Sequence, residues 1–209
     1  VFGPDAVDIP EAWFKHNEPH DLWGIFPRLG CELFQDKKDD WKITMKYFQN
    51  VVNTVRDLMS PVGREESYKK DFQKDKDGFM DIKWTTRKVL KSWAEMRETF
   101  MSANARIAIA PTQCNHQSTR GHCIMVIEVE KPNEKMAGQK NMVRLYVCDL
   151  AGTEPAGDVV YAKYKKKVFP DGTIEQKYIG PHEDKSKTKE LQDQGKKINL
   201  SLSEMAQFI

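Results

Sequence analysis

Two apolar runs, close together in the chain and each joined to a polar loop, constrain the fold most. Cys123-Ile-Met-Val-Ile-Glu-Val129 and Met142-Val-Arg-Leu-Tyr-Val-Cys148 are separated only by the turn-rich link Lys131 to Lys140. Short apolar runs rich in β-branched residues and bounded by turn signals read as buried strands. The polar loop Thr112 to Gly121 leads into the first run, and Asp149-Leu-Ala-Gly-Thr-Glu154 leaves the second. The expected product is a sheet with its chemistry at one edge, where strands give way to loops carrying Ser, Thr and Asp. The 209 residues suit one domain or a large part of one.

Composition narrows the class. Charged residues make up 31% and hydrophobic residues 39%, within the globular range. With 33 Lys+Arg against 31 Asp+Glu the net charge is +2, so any basic surface must be local and nothing global calls for nucleic acid. The four cysteines (Cys31, Cys114, Cys123, Cys148) form no CxxC pair and no zinc spacing, which reads as reduced thiols in a cytosolic protein. No apolar run approaches the roughly 20 residues of a membrane span. Val1-Phe-Gly-Pro-Asp5 has neither the basic nor the apolar part of a signal peptide, and without an initiator Met the chain reads as a fragment.

Elsewhere the pattern is coarser. Pro4, Pro10 and Pro19 break the entry segment 1–23. Ile25, Phe26, Leu29 and Leu33 fit a helix over 22–34 with Pro27 in its first turn. Trp41, Ile43, Met45 and Tyr47 alternate with polar residues, predicting a strand with one buried face. Residues 64–78 read as a charged loop; Asp75-Lys-Asp77-Gly78 within it fails as a calcium loop, because Gln73 and Trp84 stand where acids are needed. A helix capped by Thr85 or Thr86 is expected to carry Val89, Leu90, Trp93, Met96 and Phe100 to about Met101. Pro170-Asp-Gly172 between two β-prone arms, 161–168 and 173–179, predicts a hairpin. Ile198, Leu202, Met205 and Ile209 predict a final helix after the polar run Glu183 to Lys197.

The chemistry concentrates at Asp149 to Glu154. An Asp at a strand end can hold Mg²⁺ through water, and a Gly three residues on lets a backbone N–H approach a γ-phosphate. The whole string resembles the kinesin switch II motif, DLAGSE, with Thr for Ser. Asn115-His-Gln-Ser-Thr-Arg-Gly-His122 resembles kinesin switch I, NxxSSRSH, departing at Gly121. Ile198-Asn-Leu-Ser-Leu202 resembles the INxSL start of the helix after switch II. Gly24 to Arg28 (GIIPR), Lys46 to Leu58 (SYxEIYNExxxDLL) and Ala103 to Arg106 (GNxNR) are weaker likenesses in the same order. His116 and His122 read as hydrogen-bonding structural residues rather than metal ligands or bases.

The resemblance implies a three-layer α/β domain, incomplete in this chain, with a mixed central sheet and helices on both faces. It covers residues 1–209, with 155–197 as a long loop after switch II holding the hairpin. It implies an ATP-driven microtubule motor with ATP and Mg²⁺ as ligands. Ser118 and Thr119 would place hydroxyls at the γ-phosphate, the lytic water and Mg²⁺. Asn115 belongs to the nucleotide site, Asp149 would hold an Mg²⁺-bound water, and the Gly152 N–H would sense the γ-phosphate. Arg120 and Glu154 would form the ion pair that closes the switches. Lys163, Lys165, Lys166 and Lys167 would meet the acidic tubulin surface, with a solvated hairpin arm as the plain alternative. Cytoplasmic, microtubule-associated location follows from the same likeness. No Gly-x-x-x-x-Gly-Lys-Ser/Thr string occurs, and Val1-Phe-Gly3 looks like the stretch just past that phosphate loop. A degenerate, non-hydrolysing kinesin-like module is the second reading.

Overall fold

A computed structural model describes residues 23–51, 54–62, 65–67, 72–74, 78, 80–107, 109–110, 118–119, 121–152, 155–169 and 174–206. It divides into two compact units, residues 1–106 with 123–149, and residues 107–122 with 150–209.

The first unit is an α/β arrangement. Helix α1 (Ile25–Gln35) precedes strands β1 (Lys42–Val51), β2 (Thr54–Asp57), β3 (Glu65–Ser67), β4 (Phe72–Lys74), β5 (Met80–Ile82) and β6 (Lys88–Leu90). Helix α2 (Trp93–Asn104) follows. After β7 (Ile109–Ala110) and β8 (Ser118–Thr119) of the second unit, the chain returns in the long strands β9 (His122–Pro132) and β10 (Lys140–Asp149). The main sheet runs β10-β9-β1-β2-β3, with β6 also on β1. β6 takes Ile43 to Met45 and β2 takes Phe48 to Val51, both antiparallel.

β1 is buried on both faces rather than the one that its alternation predicts. Ile43, Met45 and Tyr47 face the helices; Tyr47 and Phe26 both meet the Phe100 ring, at 5.8 and 4.6 Å between centroids. On the other face, Phe48 joins Val55, Ile82 and Val126 in a second cluster. Lys46 is buried beside it because its ammonium is neutralised there: it pairs with Asp81 and donates to the Ile82 carbonyl at 3.0 Å. Arg87 holds the other oxygen of Asp81 at 2.6 Å, and Arg144 donates to Glu128 at 2.8 Å, across the β9–β10 ladder. Burial lowers the Lys46 pKa, against the pull of Asp81.

The helix expected from Thr85 or Thr86 starts later, at Trp93. Both threonines are engaged in a turn instead: Thr85 Oγ1 donates to the Ile82 carbonyl at 2.8 Å, and Thr86 donates from N and Oγ1 to buried Asp57 at 2.7 and 2.6 Å. Val89 and Leu90 go into β6, and Ser92 caps α2 by accepting from the Glu95 N–H. The charged stretch 64–78 contributes β3 and β4 where a loop was expected. β10 also departs from the buried strand predicted. It is the edge strand, and Val143, Leu145 and Tyr146 are 49%, 38% and 44% exposed.

In the second unit, β11 (Ala162–Val168) and β12 (Ile174–Pro181) form the expected antiparallel hairpin; its Pro-Asp-Gly turn lies outside the described residues. Helix α3 (Lys185–Ala206) begins well before Ile198. Asp184 allows this, because its carboxylate accepts from the Ser186 and Lys187 N–H groups at the start of the helix.

Candidate functional site

β9 and β10 pair antiparallel from Lys140↔Pro132 to Asp149↔Cys123. The loop entering β9 and the loop leaving β10 therefore emerge at the same end of one ladder. This topology brings Cys123, which follows the first motif, and Asp149, which opens the second, to one end of the ladder.

Asp149 is the last residue of β10. Its partner Cys123 lies on the helical face of the sheet, where Tyr47 is also buried. Burial raises the Asp149 pKa above its ordinary 3.8. Burial and the Asp149 charge push the Cys123 thiol up to about 12, so it stays protonated. Burial raises the Tyr47 pKa, with Cys123 and then Asp149 adding to it, and its hydroxyl donates to Asn104 Oδ1 at 3.4 Å. A half-buried carboxylate with a raised pKa is short of positive charge. That suits a hard cation, which takes one or two protein carboxylates and completes its shell with water and phosphate. Among the described residues no group of three His, Cys, Asp or Glu could hold a metal without such help.

Past Asp149 the chain is held by His122. This imidazole is buried, and its Nδ1 accepts the Ala151 N–H at 3.2 Å. Burial lowers the His122 pKa, which keeps the ring neutral and able to accept. His122 thus has the hydrogen-bonding role expected of it. Gly152, next along, is exposed. Ser118 and Thr119 form β8, paired with Ala110 and Ile109, which fixes their backbone in a two-stranded ribbon. Asn115, His116, Arg120 and Glu154 lie outside the described residues.

Sequence reasoning missed the tie between the post-motif segment and α3. Gln192 Nε2 donates to the Gly157 and Val159 carbonyls at 3.2 and 3.1 Å, and Thr188 Oγ1 accepts the Tyr161 N–H at 3.2 Å. Gly195 lies against Ala156; a Cβ there would meet the Ala156 Cβ at 3.3 Å. Thr188, Leu191, Gln192, Gly195 and Ile198 recur at helical spacing, so the signal was an amphipathic face hidden in a polar run. On the hairpin, Lys165, Lys166 and Lys167 are exposed and Lys163 pairs with Glu183 at 2.5 Å.

The kinesin motor domain model matches residues 15–167. Kinesin-like protein KIF22-A of Xenopus laevis is 28% identical over 165 residues, 74% of this chain and 24% of that protein. Kinesin heavy chain isoform 5A of Homo sapiens is 28% identical over 145 residues, 67% of this chain and 14% of that protein. The chain thus spans a quarter or less of these relatives. Among solved structures, a KIF14 dimer with AMP-PNP in complex with a microtubule has TM-score 0.58 and 19% identity, covering 88% of this chain and 47% of that one. A fast kinesin has TM-score 0.54 and 23% identity, covering 73% and 40%. Both likenesses show the kinesin-like α/β fold, present here in part. With the family model matching most of its length, the chain belongs to the kinesin motor domain family.

Proposed function

We propose that this chain carries the two nucleotide switches of an ATP-driven microtubule motor, the complete protein working at microtubules in the cytoplasm. The observation that carries the reading is the shared end of the β9–β10 ladder, with Asp149 at its tip and Ala151 held by His122. Magnesium bound with ATP would neutralise charge on the transferred phosphoryl group. Asp149 would hold a water of that ion, Ser118 and Thr119 would supply hydroxyls to the γ-phosphate, the lytic water and the ion, and Asn115 would contribute to the nucleotide site. The Gly152 N–H would sense the γ-phosphate, and Arg120 would pair with Glu154 to close the loops. This is phosphoryl transfer by positioning and charge stabilisation.

Closure pulls on the segment after Gly152. That segment is bonded to α3 through Gln192 and Thr188, so γ-phosphate occupancy is passed to the helix and to the lysines of β11, Lys163, Lys165, Lys166 and Lys167. Charge reversal of all four tests their share in microtubule affinity, and unchanged affinity would remove them from the reading. A second reading, a non-hydrolysing kinesin-like module, is favoured by Gly121, which takes a hydroxyl from switch I. Microtubule cosedimentation of the complete protein separates the two. The motor binds differently in ADP and AMP-PNP, whereas a module that ignores nucleotide binds equally in both.

A further inference from the structure

The register of the β11–β12 hairpin gives its four lysines unequal surroundings. Lys163 is committed to Glu183. Lys167 lies over the Phe169 ring, 4.5 Å from its centroid. Lys166 faces Gln176. Lys165 stands directly opposite Lys177. Opposite residues of an antiparallel ladder share a face with Cβ atoms about 4.5–5.5 Å apart, and like charges so placed destabilise the pair. Both lysines are exposed, and among the described residues neither has an ion pair.

A β-bulge produces this juxtaposition. Lys163 pairs with Gly180, but Tyr164 pairs with Tyr178, so Ile179 is passed over. Gly180 has φ 140°, a conformation open to glycine and strained for other residues. Without the bulge Lys165 would face Tyr178. On the opposite face Tyr164 and Tyr178 meet edge to face with centroids 5.9 Å apart, which pins the shifted register. The hairpin thus holds two ammonium groups side by side at a cost to its own stability.

We infer that Lys165 and Lys177 form a clamp for adjacent carboxylates of an acidic polypeptide, the acidic surface of the microtubule, and that this pair rather than the whole β11 arm carries the hairpin's affinity. The inference rests on the microtubule-motor reading. A short acidic segment fits better than a long polyanion, because Glu175, two residues from Lys177 on the same strand face and opposite Lys167, would repel an extended phosphate backbone.

The test is cosedimentation of the complete protein with microtubules in AMP-PNP, at low and moderate salt, with Lys177→Glu, Lys165→Glu, Lys135→Glu and the double variant Lys165→Arg/Lys177→Arg. Lys177→Glu and Lys165→Glu each set opposite charges face to face, so the hairpin keeps its fold, checked by amide exchange over β11 and β12. Both should weaken Kd about tenfold and flatten its salt dependence, while Lys135→Glu, an exposed lysine outside the hairpin, stays within about twofold and the double Arg variant binds like wild type. Wild-type affinity in Lys177→Glu, or an equal loss in Lys135→Glu, overturns the clamp and leaves the motor reading standing. Failure of the wild type to bind microtubules in any nucleotide state overturns the motor reading and the clamp with it. A duplex DNA oligonucleotide bound more tightly than microtubules, and lost in Lys177→Glu, overturns the assignment of the partner.

Discussion

The Ala151 N–H donates to Nδ1 of buried His122 across 3.2 Å, tying a residue within one candidate switch to the residue that ends the other. Only a neutral imidazole can accept this bond, and burial keeps the ring neutral by lowering its pKa. His122→Phe leaves a buried N–H without its acceptor and should cost about 1–3 kcal/mol in urea unfolding. The pH dependence has a fixed sign. The native pKa lies below the ordinary 6.5, so the stabilisation is complete above that value. It is lost as pH falls through the lowered native value, because the unfolded state takes up the proton first. The gap between wild type and His122→Phe should narrow from pH 7.5 to pH 5. A constant gap would mean that His122 does not titrate differently on folding.

Asp149 has the opposite sign. Its native pKa is raised above 3.8, so its contribution is fully present below that value and lost as pH rises through the raised native value. At neutral pH the ionised carboxylate is a burden on the nucleotide-free fold. Asp149→Asn should raise the Tm of the nucleotide-free protein at pH 7, with the gain vanishing in acid, while ATPase falls by about 10²-fold or more. Calorimetry and steady-state turnover check the two halves. A lowered Tm would show that the carboxylate is stabilising in place.

The buried pair Lys46–Asp81 predicts strong non-additivity. Asp81→Ala strands Lys46, whose side chain is 2% exposed, and should cost about 3–5 kcal/mol. The double variant Lys46→Met/Asp81→Leu removes both charges and should cost less than Asp81→Ala alone. Guanidinium denaturation of the four members of the cycle measures the coupling, and simple additivity would refute it.

Gly30 in α1 faces Trp93 of α2 so closely that an added Cβ would lie 2.4 and 2.8 Å from two of its ring carbons. Trp93 is itself packed against Trp23 and Phe26, with ring centroids 6.0 and 6.2 Å away. Gly30→Ala should therefore destabilise by about 1–3 kcal/mol through overpacking, although alanine favours helices. Thermal unfolding decides; a gain in Tm would mean that the indole can move.

The paired apolar runs 123–129 and 142–148 were legible as strands because length, β-branching and flanking loops agreed, and they marked the end of the ladder where the candidate site lies, although the edge position of β10 was not legible. The start of α2 was not. Trp84-Thr85-Thr86 carries a good capping signal, but both hydroxyls are claimed by Ile82 and Asp57, partners that only the fold supplies. Ser92 with Glu95 was the better cap signal in the same stretch. The long start of α3 was hidden because its contact face mixes Thr188, Gln192 and Gly195 with Leu191 and Ile198, and hydropathy does not register a glutamine that bonds two carbonyls. The burial of Lys46 was hidden for the same reason: its partner Asp81 is 35 residues away.

We propose that the loops at the end of the β9–β10 ladder are the working switches of a microtubule-stimulated ATPase. Steady-state ATP turnover of the complete protein, with and without microtubules, tests it most directly in wild type against Glu154→Ala. Microtubules should accelerate the wild type, and the variant should lose that acceleration, with turnover down by about 10²-fold or more. Equal rates in the two proteins would contradict it.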